Sequence, residues 1–361
     1  MKSYIYTIGT ATPSHRFTQK DIGKFMASVH NMNGEESHKL DVLYRATGIQ
    51  YRNSVLKDFG RIGEDLEFLG NNGSGHPGVT QRMKLFKTEA LPLSVQAIKN
   101  CLGNTYDPSD FTHLITVSCT GMYAPGLDIE LIGEIGLPTN IQRTGIHFMG
   151  CYAAFNALKV ADAICKSNSK ALVLIVCVEL CTIHFQNKKD EETLLSNAIF
   201  ADGAAATIVG SDPRQGALEM MSFYNDIEPA GKQDMTWEIA DFGFEIRLSS
   251  YVPDLIRNGM KTLTDKLLQH LEESIEDIDY FAIHPGGKKI LRVVENCLDI
   301  ANDKSRHAHE VLSENGNMSS PTILFVLKKI MEQAQGSEAN ILAFAFGPGL
   351  TLESMMLKST V

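Results

Sequence analysis

The chain sorts into short runs of two kinds. Strand-like runs occur at Ser3–Gly9, His113–Cys119, Gly145–Met149, Ala171–Val178 and Ala204–Val209, and again at Ala217–Tyr224, Tyr280–His284 and Asn340–Phe346. Between them, apolar residues recur at helical spacing over Leu91–Cys101, Tyr152–Ser167, Val252–Ser274, Lys289–Leu298 and Thr322–Gln335. Short apolar runs predict buried strands, and their alternation with helices predicts an α/β fold with mixed sheets. Two polar stretches, Leu69–Thr80 and Asn225–Asp241, are expected to be loops. There is no exact internal repeat. Each half nevertheless ends in a buried strand flanked by Gly-rich turns, which is compatible with a diverged duplication. The Ser-Asp-Pro at Ser211–Pro213 is the expected break, giving halves 1–212 and 213–361.

A chain of 361 residues can build two ordinary domains or one large unit from two halves. Its longest apolar stretch, Ala171–Val178, falls well short of the roughly 18 residues a membrane helix needs, so no membrane span is expected. The opening MKSYIYTIGTATP is too short and polar for a secretory signal, and a cytoplasmic location follows as the expectation. The seven cysteines (Cys101, Cys119, Cys151, Cys165, Cys177, Cys181 and Cys297) are odd in number and show no C-x-x-C spacing. Neither a disulfide framework nor a metal site is expected, and free thiols suit a reducing cytosol. A net charge of -10 argues against nucleic acid as the main partner but leaves an anionic small substrate open.

Three positions carry candidate chemistry. Cys151 stands between the strand-like GIHFM and the helix-like YAAFNALKVADAIC, at the positive end of a helix, where a thiolate is favoured. A lone cysteine there is more often a buried, inert thiol. His284 closes the strand DYFAIH before Pro285, Gly286 and Gly287, at an edge where α/β sheets meet ligands. Asn317 lies in NGNMSSPT before a helix, where capping alone would explain Ser319 or Ser320 and Pro321. Together the three fit Claisen chemistry. A thiolate carries the acyl group, and an imidazole and a carboxamide hold the oxygen of an enolate. No cofactor is required. The one GxGxxG string, Gly73–Gly78, follows an acidic helix-like segment rather than a strand and reads as a chance match.

Over nearly its whole length the sequence resembles the type III polyketide synthases, the chalcone-synthase-like group of the thiolase superfamily. IGTATP, CTGMYAPG, MGCYAA, FADGAAATIVGSDP, AIHPGG, GNMSSPT and FGPGLTLE carry the resemblance in this order. It implies a thiolase-like fold of duplicated αβαβα layers. It also implies a homodimer that loads an acyl-CoA starter on Cys151 and extends it with malonyl-CoA under His284 and Asn317. The product would be a pyrone, a resorcinol or a phloroglucinol-type ring. Phe200 matches the residue at the junction of CoA tunnel and cavity, and Gly347, Pro348 and Gly349 resemble the cyclisation-pocket loop. Cys119, Cys181 and His184 fall where plant members often have Thr. Ile246 takes the place of a second gating Phe, and Trp237 that of a small cavity-wall residue. These departures resemble the bacterial-type branch, in which an opened wall admits a long acyl chain. Ser319 completes the expected cavity set. Lys39, Arg45, Gly286, Gly287 and Lys288 are the expected CoA contacts, with Arg52 and Lys289 nearby. Met122 or Ala124 lies where members reach across the dimer. HPGG and GNMSS, in place of His-Gln-Ala-Asn and GNTS, favour this branch over a ketoacyl-ACP synthase III-like enzyme. A non-catalytic thiolase-fold partner is the remaining alternative.

Overall fold

The computed structural model describes residues 1–361 except 62–65, 70–76, 250, 270 and 272. Its strands are β1 Tyr4–Ala11, β2 His15–Thr18, β3 Tyr51–Ser54, β4 His113–Ser118, β5 Gln142–His147, β6 Leu172–Leu180 and β7 Asp202–Gly210. Six more follow: β8 Leu218–Ile227, β9 Met235–Ala240, β10 Gly243–Leu248, β11 Tyr280–Ile283, β12 Asn340–Gly347 and β13 Thr351–Ser359. The helices are α1 Gln19–Val29, α2 Gly34–Ala46, α3 Val79–Leu102, α4 Leu127–Ile135 and α5 Ala153–Ser167. They continue with α6 Glu191–Ile199, α7 Val252–Gln269, α8 Lys288–Leu298, α9 Arg306–Asn315 and α10 Thr322–Ala334.

Nine strands form one mixed sheet in the order β11-β12-β13-β8-β1-β7-β6-β4-β5. The strands of the first half therefore occupy one end and those of the second half the other. They meet where β1 pairs with β8 over Tyr4–Glu219 and Ile5–Leu218. The central strands are apolar throughout because both faces are covered. Along β6, Val173, Ile175 and Cys177 enter one buried cluster with α5 and α10, while Leu174, Val176 and Val178 enter another with α3. Two-residue alternation thus supplies two cores from one strand. Gly9 allows β1 to cross α3 closely, since a Cβ there would lie 2.2 Å from the Cys101 nitrogen.

All eight strands expected from the sequence are present. Five more were not legible. β2 and β3 form a four-residue pair in which β2 is partly exposed while Arg52, Asn53 and Ser54 of β3 are buried. The stretch Asn225–Asp241 is not one loop, because β8 runs on to Ile227 and Met235–Ala240 is β9, paired antiparallel with β10. The FGPGLTLE segment is a turn only at its centre, and Thr351–Glu353 begin β13, an interior strand between β12 and β8. Helix α3 begins at Val79 and continues through Pro92, so it starts well before the expected Leu91. Most of the expected loop 69–80 and of the Gly73–Gly78 string lies outside the described residues.

Candidate active site

Three connections, each leading into a helix, meet at one chamber. β5 ends at His147, and the chain turns through Phe148 and Gly150 with φ of 57° and 81°. A 3-10 turn over Gly150–Tyr152 then presents Cys151 just before α5. Glycine is needed at 150, because a Cβ there would meet the Pro348 ring at 2.4 Å. The Gly150 N–H is held by the Cys119 sulfur at 3.0 Å.

Asn317 enters from the α9–α10 connection. Its N–H donates to the Ile199 carbonyl at 2.9 Å, and its own carbonyl accepts from the Ala201 N–H at 2.8 Å. The Ser319 N–H occupies its carboxamide oxygen at 2.8 Å, helped by the left-handed φ of 56° at Ser319. The amide nitrogen is left 3.9 Å from the Cys151 sulfur. His284 follows β11, with its N–H on the Phe344 carbonyl at 2.8 Å. The ring is buried, and among the described residues neither nitrogen has a hydrogen-bond partner.

The chamber holds ≈ 600 Å³ of empty space, counted out to its mouth. Cys151, His284 and Asn317 all line it. So do Phe200, Cys119, Cys181, Trp237, Ile246, Ser319, Pro348 and Gly286 of the expected set. The structure does not bring His184, Gly347 or Gly349 to its wall. His184 lies behind it, stacked on Phe244 at 4.2 Å, with Nε2 on the Thr120 carbonyl at 2.6 Å and Nδ1 accepting the Phe244 N–H at 2.9 Å. Gly347 makes room for the Tyr152 ring, 2.4 Å from where a Cβ would stand. Gly349 flanks Pro348 with φ 123°.

Burial sets the protonation states. It pushes the Cys151 thiol up to about 11, against a downward pull from Ser319 and Asn317. It drives His284 down to about 3, with Asn317 favouring the charged ring slightly. Desolvation thus opposes the pull toward thiolate that the helix terminus supplies, and it disfavours the charged ring as well.

The expected CoA contacts are spread over two helices. Lys39 and Arg45 are exposed on α2 and paired with Glu35 at 2.6 Å and Asp41 at 2.8 Å. Gly287 caps α8, which opens with Lys288, and the Lys288 stem lies over Gly48. Arg52 is not available to a phosphate: it is buried and held by Gln19 and two backbone carbonyls.

Sequence reasoning missed Glu179. It is fully buried behind Cys119 and accepts from the Cys119 N–H at 2.9 Å, Thr120 at 2.8 Å and Ser320 at 2.6 Å. Its signal was a carboxylate near the end of an otherwise apolar strand, LVLIVCVEL. Met235, Leu248, Ile290 and Phe346 also line the chamber. Their apolar side chains have nothing in sequence to separate them from core.

The family model for chalcone and stilbene synthases matches through its N-terminal domain over residues 1–213 and its C-terminal domain over 219–361. The chain belongs to the chalcone and stilbene synthase family. This synthase is 33% identical to the alpha-pyrone synthesis polyketide synthase-like Pks18 of Mycobacterium tuberculosis over 286 residues, 77% of this chain and 73% of that protein. It is 29% identical to probable polyketide synthase 1 of Dictyostelium discoideum across 99% of this chain, and spans only 12% of that protein's length. The C-terminal type III polyketide synthase domain of Steely1 from Dictyostelium has the same fold, with a TM-score of 0.90 at 28% identity and full coverage of both chains. PKS-I of the brown alga Ectocarpus siliculosus matches with a TM-score of 0.91 at 29% identity over 99% of this chain and 98% of that one. The family places the protein among acyltransferase-type enzymes with type III polyketide synthase architecture. Among the described residues, no helix is long and apolar enough to cross a membrane, and no cluster of His, Cys, Asp and Glu could hold a metal ion.

Proposed function

We propose that the chain loads an acyl-CoA starter on Cys151, extends it by decarboxylative condensation with malonyl-CoA, and cyclises the product to a pyrone, resorcinol or phloroglucinol-type ring. The observation that carries this reading is the meeting of one sulfur, one unpartnered buried imidazole and one anchored carboxamide at a single apolar chamber. With the thiol near 11 and the imidazole near 3, the proton stays on sulfur until a thioester enters. Attack of Sγ on the carbonyl then passes that proton to His284, which returns it to the departing CoA sulfur. When malonyl-CoA follows, loss of CO2 leaves negative charge on the thioester oxygen. A neutral His284 ring and the Asn317 amide are the donors that face it. The enolate carbon attacks the acyl group on Cys151, the C–S bond breaks, and the sulfur leaves as thiolate and takes up a proton from solvent. CoA thioesters supply all the reacting groups, so the route needs no cofactor or metal.

Lys39, Arg45, Gly286, Gly287 and Lys288 would hold CoA. The pairs on α2 are exposed and individually weak, so a phosphate can displace their carboxylates at little cost. The seven unpaired cysteines suit a cytoplasmic enzyme. A homodimer fits the open edge of the nine-stranded sheet: β5 is exposed, and Met122 and Ile129 stand out beside it.

The test is incubation with malonyl-CoA and short, long and aromatic acyl-CoA starters, with products read by mass spectrometry. Pyrone or resorcinol products from free malonyl-CoA, absent in Cys151→Ala, are expected. Turnover only with a carrier protein would favour the ketoacyl synthase alternative, and no acyl adduct on Cys151 would favour a non-catalytic scaffold.

A further inference from the structure

Arg52 follows β3's first residue and is fully enclosed, with 3% of its surface exposed. Its Nη1 donates to the carbonyls of Asn197 at 2.8 Å and Phe200 at 2.7 Å, and its Nε donates to the Gln19 side chain at 2.9 Å. Among the described residues, no carboxylate shares a hydrogen bond with it. Tyr44 and, more weakly, Asp202 support its charge, and the Tyr44 ring lies 5.8 Å from the guanidinium carbon. A buried cation without a hydrogen-bonded counterion is costly, so its partners are informative. Asn197 lies in the last turn of α6 and Phe200 is its C-cap, where intrahelical donors run out and a cation complements the helix dipole.

The stem of Arg52 also supports a second segment. Gly316, with φ 71°, lies directly on it, and a Cβ there would stand 2.9 Å from the Arg52 Cγ. The next residue is Asn317, joined to Ile199 and Ala201 by the two backbone hydrogen bonds on either side of Phe200. One guanidinium therefore underlies both the strand-like bridge that aims the Asn317 amide and the carbonyl of Phe200. Cys151 is carried on a different unit, the β5–α5 turn, which Arg52 does not touch.

We propose that Arg52 is a positioning residue for the Asn317 donor and the Phe200 wall, acting on the malonyl half-reaction rather than on acyl loading. The proposal rests on the reading of Asn317 given above. Lysine cannot replace it, because a single ammonium does not span three acceptors in the plane of the guanidinium fork.

The experiment measures two rates in Arg52→Lys and Arg52→Gln. They are acylation of Cys151 by a starter acyl-CoA, followed by intact mass, and CO2 release from malonyl-CoA. Acylation within about twofold of wild type is expected. Decarboxylation should fall by about 100-fold in kcat with little change in KM, as a small misplacement of one donor would produce. Adding Asn317→Ala to Arg52→Lys should cost far less than the product of the two single losses. Equal loss of both rates, in step with a lowered melting temperature, would show Arg52 to be merely structural, and unchanged decarboxylation would also overturn the proposal. A wild-type enzyme that leaves malonyl-CoA intact overturns the synthase reading instead. A crystal structure of Arg52→Gln then decides the positioning role alone, according to whether the Asn317 amide has left its 3.9 Å approach to Cys151.

Discussion

Cys151 and His284 share a chamber whose lining is mostly apolar, and that lining decides their charge. Removing water penalises the thiolate and the imidazolium alike, so the thiol rises and the ring falls. The thiolate is the alkylating form. Iodoacetamide labelling of Cys151 is therefore expected to be slow at pH 7 and to climb about tenfold per pH unit from 6 to 10. Peptide mapping separates this site from the other cysteines. A plateau between pH 6 and 8 would instead report that the proton has already moved to His284. At this scale the residue types were legible and the protonation was not. A thiol beside a helix N-terminus reads as activated in sequence, whereas desolvation by Phe200, Trp237, Ile246 and Phe346 comes from four remote segments.

The hairpin of β9 and β10 closes one side of the chamber without joining the main sheet. Trp237 and Ile246 are direct cross-strand partners, and both face inward with Met235 and Leu248. Trp237 is pinned by its indole N–H on the Cys119 carbonyl at 2.6 Å and stands edge-on to His184 and Phe244. Behind this wall lies a second cavity of ≈ 380 Å³ that shares Cys181, Phe200, Trp237 and Ile246 with the chamber. Trp237→Ala is expected to join the two spaces and move the starter preference toward longer acyl chains, read as a mass shift in the products of a mixed acyl-CoA pool. An unchanged product profile would show that the indole is not the partition. Trp237→Leu, which keeps more packing, guards against a collapse of the hairpin. Sequence identified the bulky residue but read β9 as loop, because its outward positions are polar and its length is short. The same weakness hid His184, whose role as a neutral bracket between Thr120 and Phe244 depends on residues about 60 positions away on each side.

Across the whole molecule, two half-sheets fuse through the short β1–β8 contact, and the first half ends in the open edge strand β5. That strand leads directly into the Cys151 turn, so an occupied edge would also brace the nucleophile. Light scattering is expected to give twice the mass of one chain at micromolar concentration, and Met122→Glu, placed on the exposed surface beside β5, is expected to shift the protein to monomer. A wild-type protein that runs as a monomer would remove the dimer from the picture. Local pattern alone determined the strand and helix alternation and singled out Cys151, His284 and Asn317 as candidates at turns, because apolar periodicity and turn residues act over a few positions. The shape of the chamber, the burial that pushes the Cys151 thiol up, the buried Glu179 and the bracing of Asn317 by Arg52 belong to the tertiary structure. They arise from segments 50 to 280 and beyond meeting at one point, where removal of water and sharing of hydrogen bonds depend on neighbours that no local stretch of sequence contains.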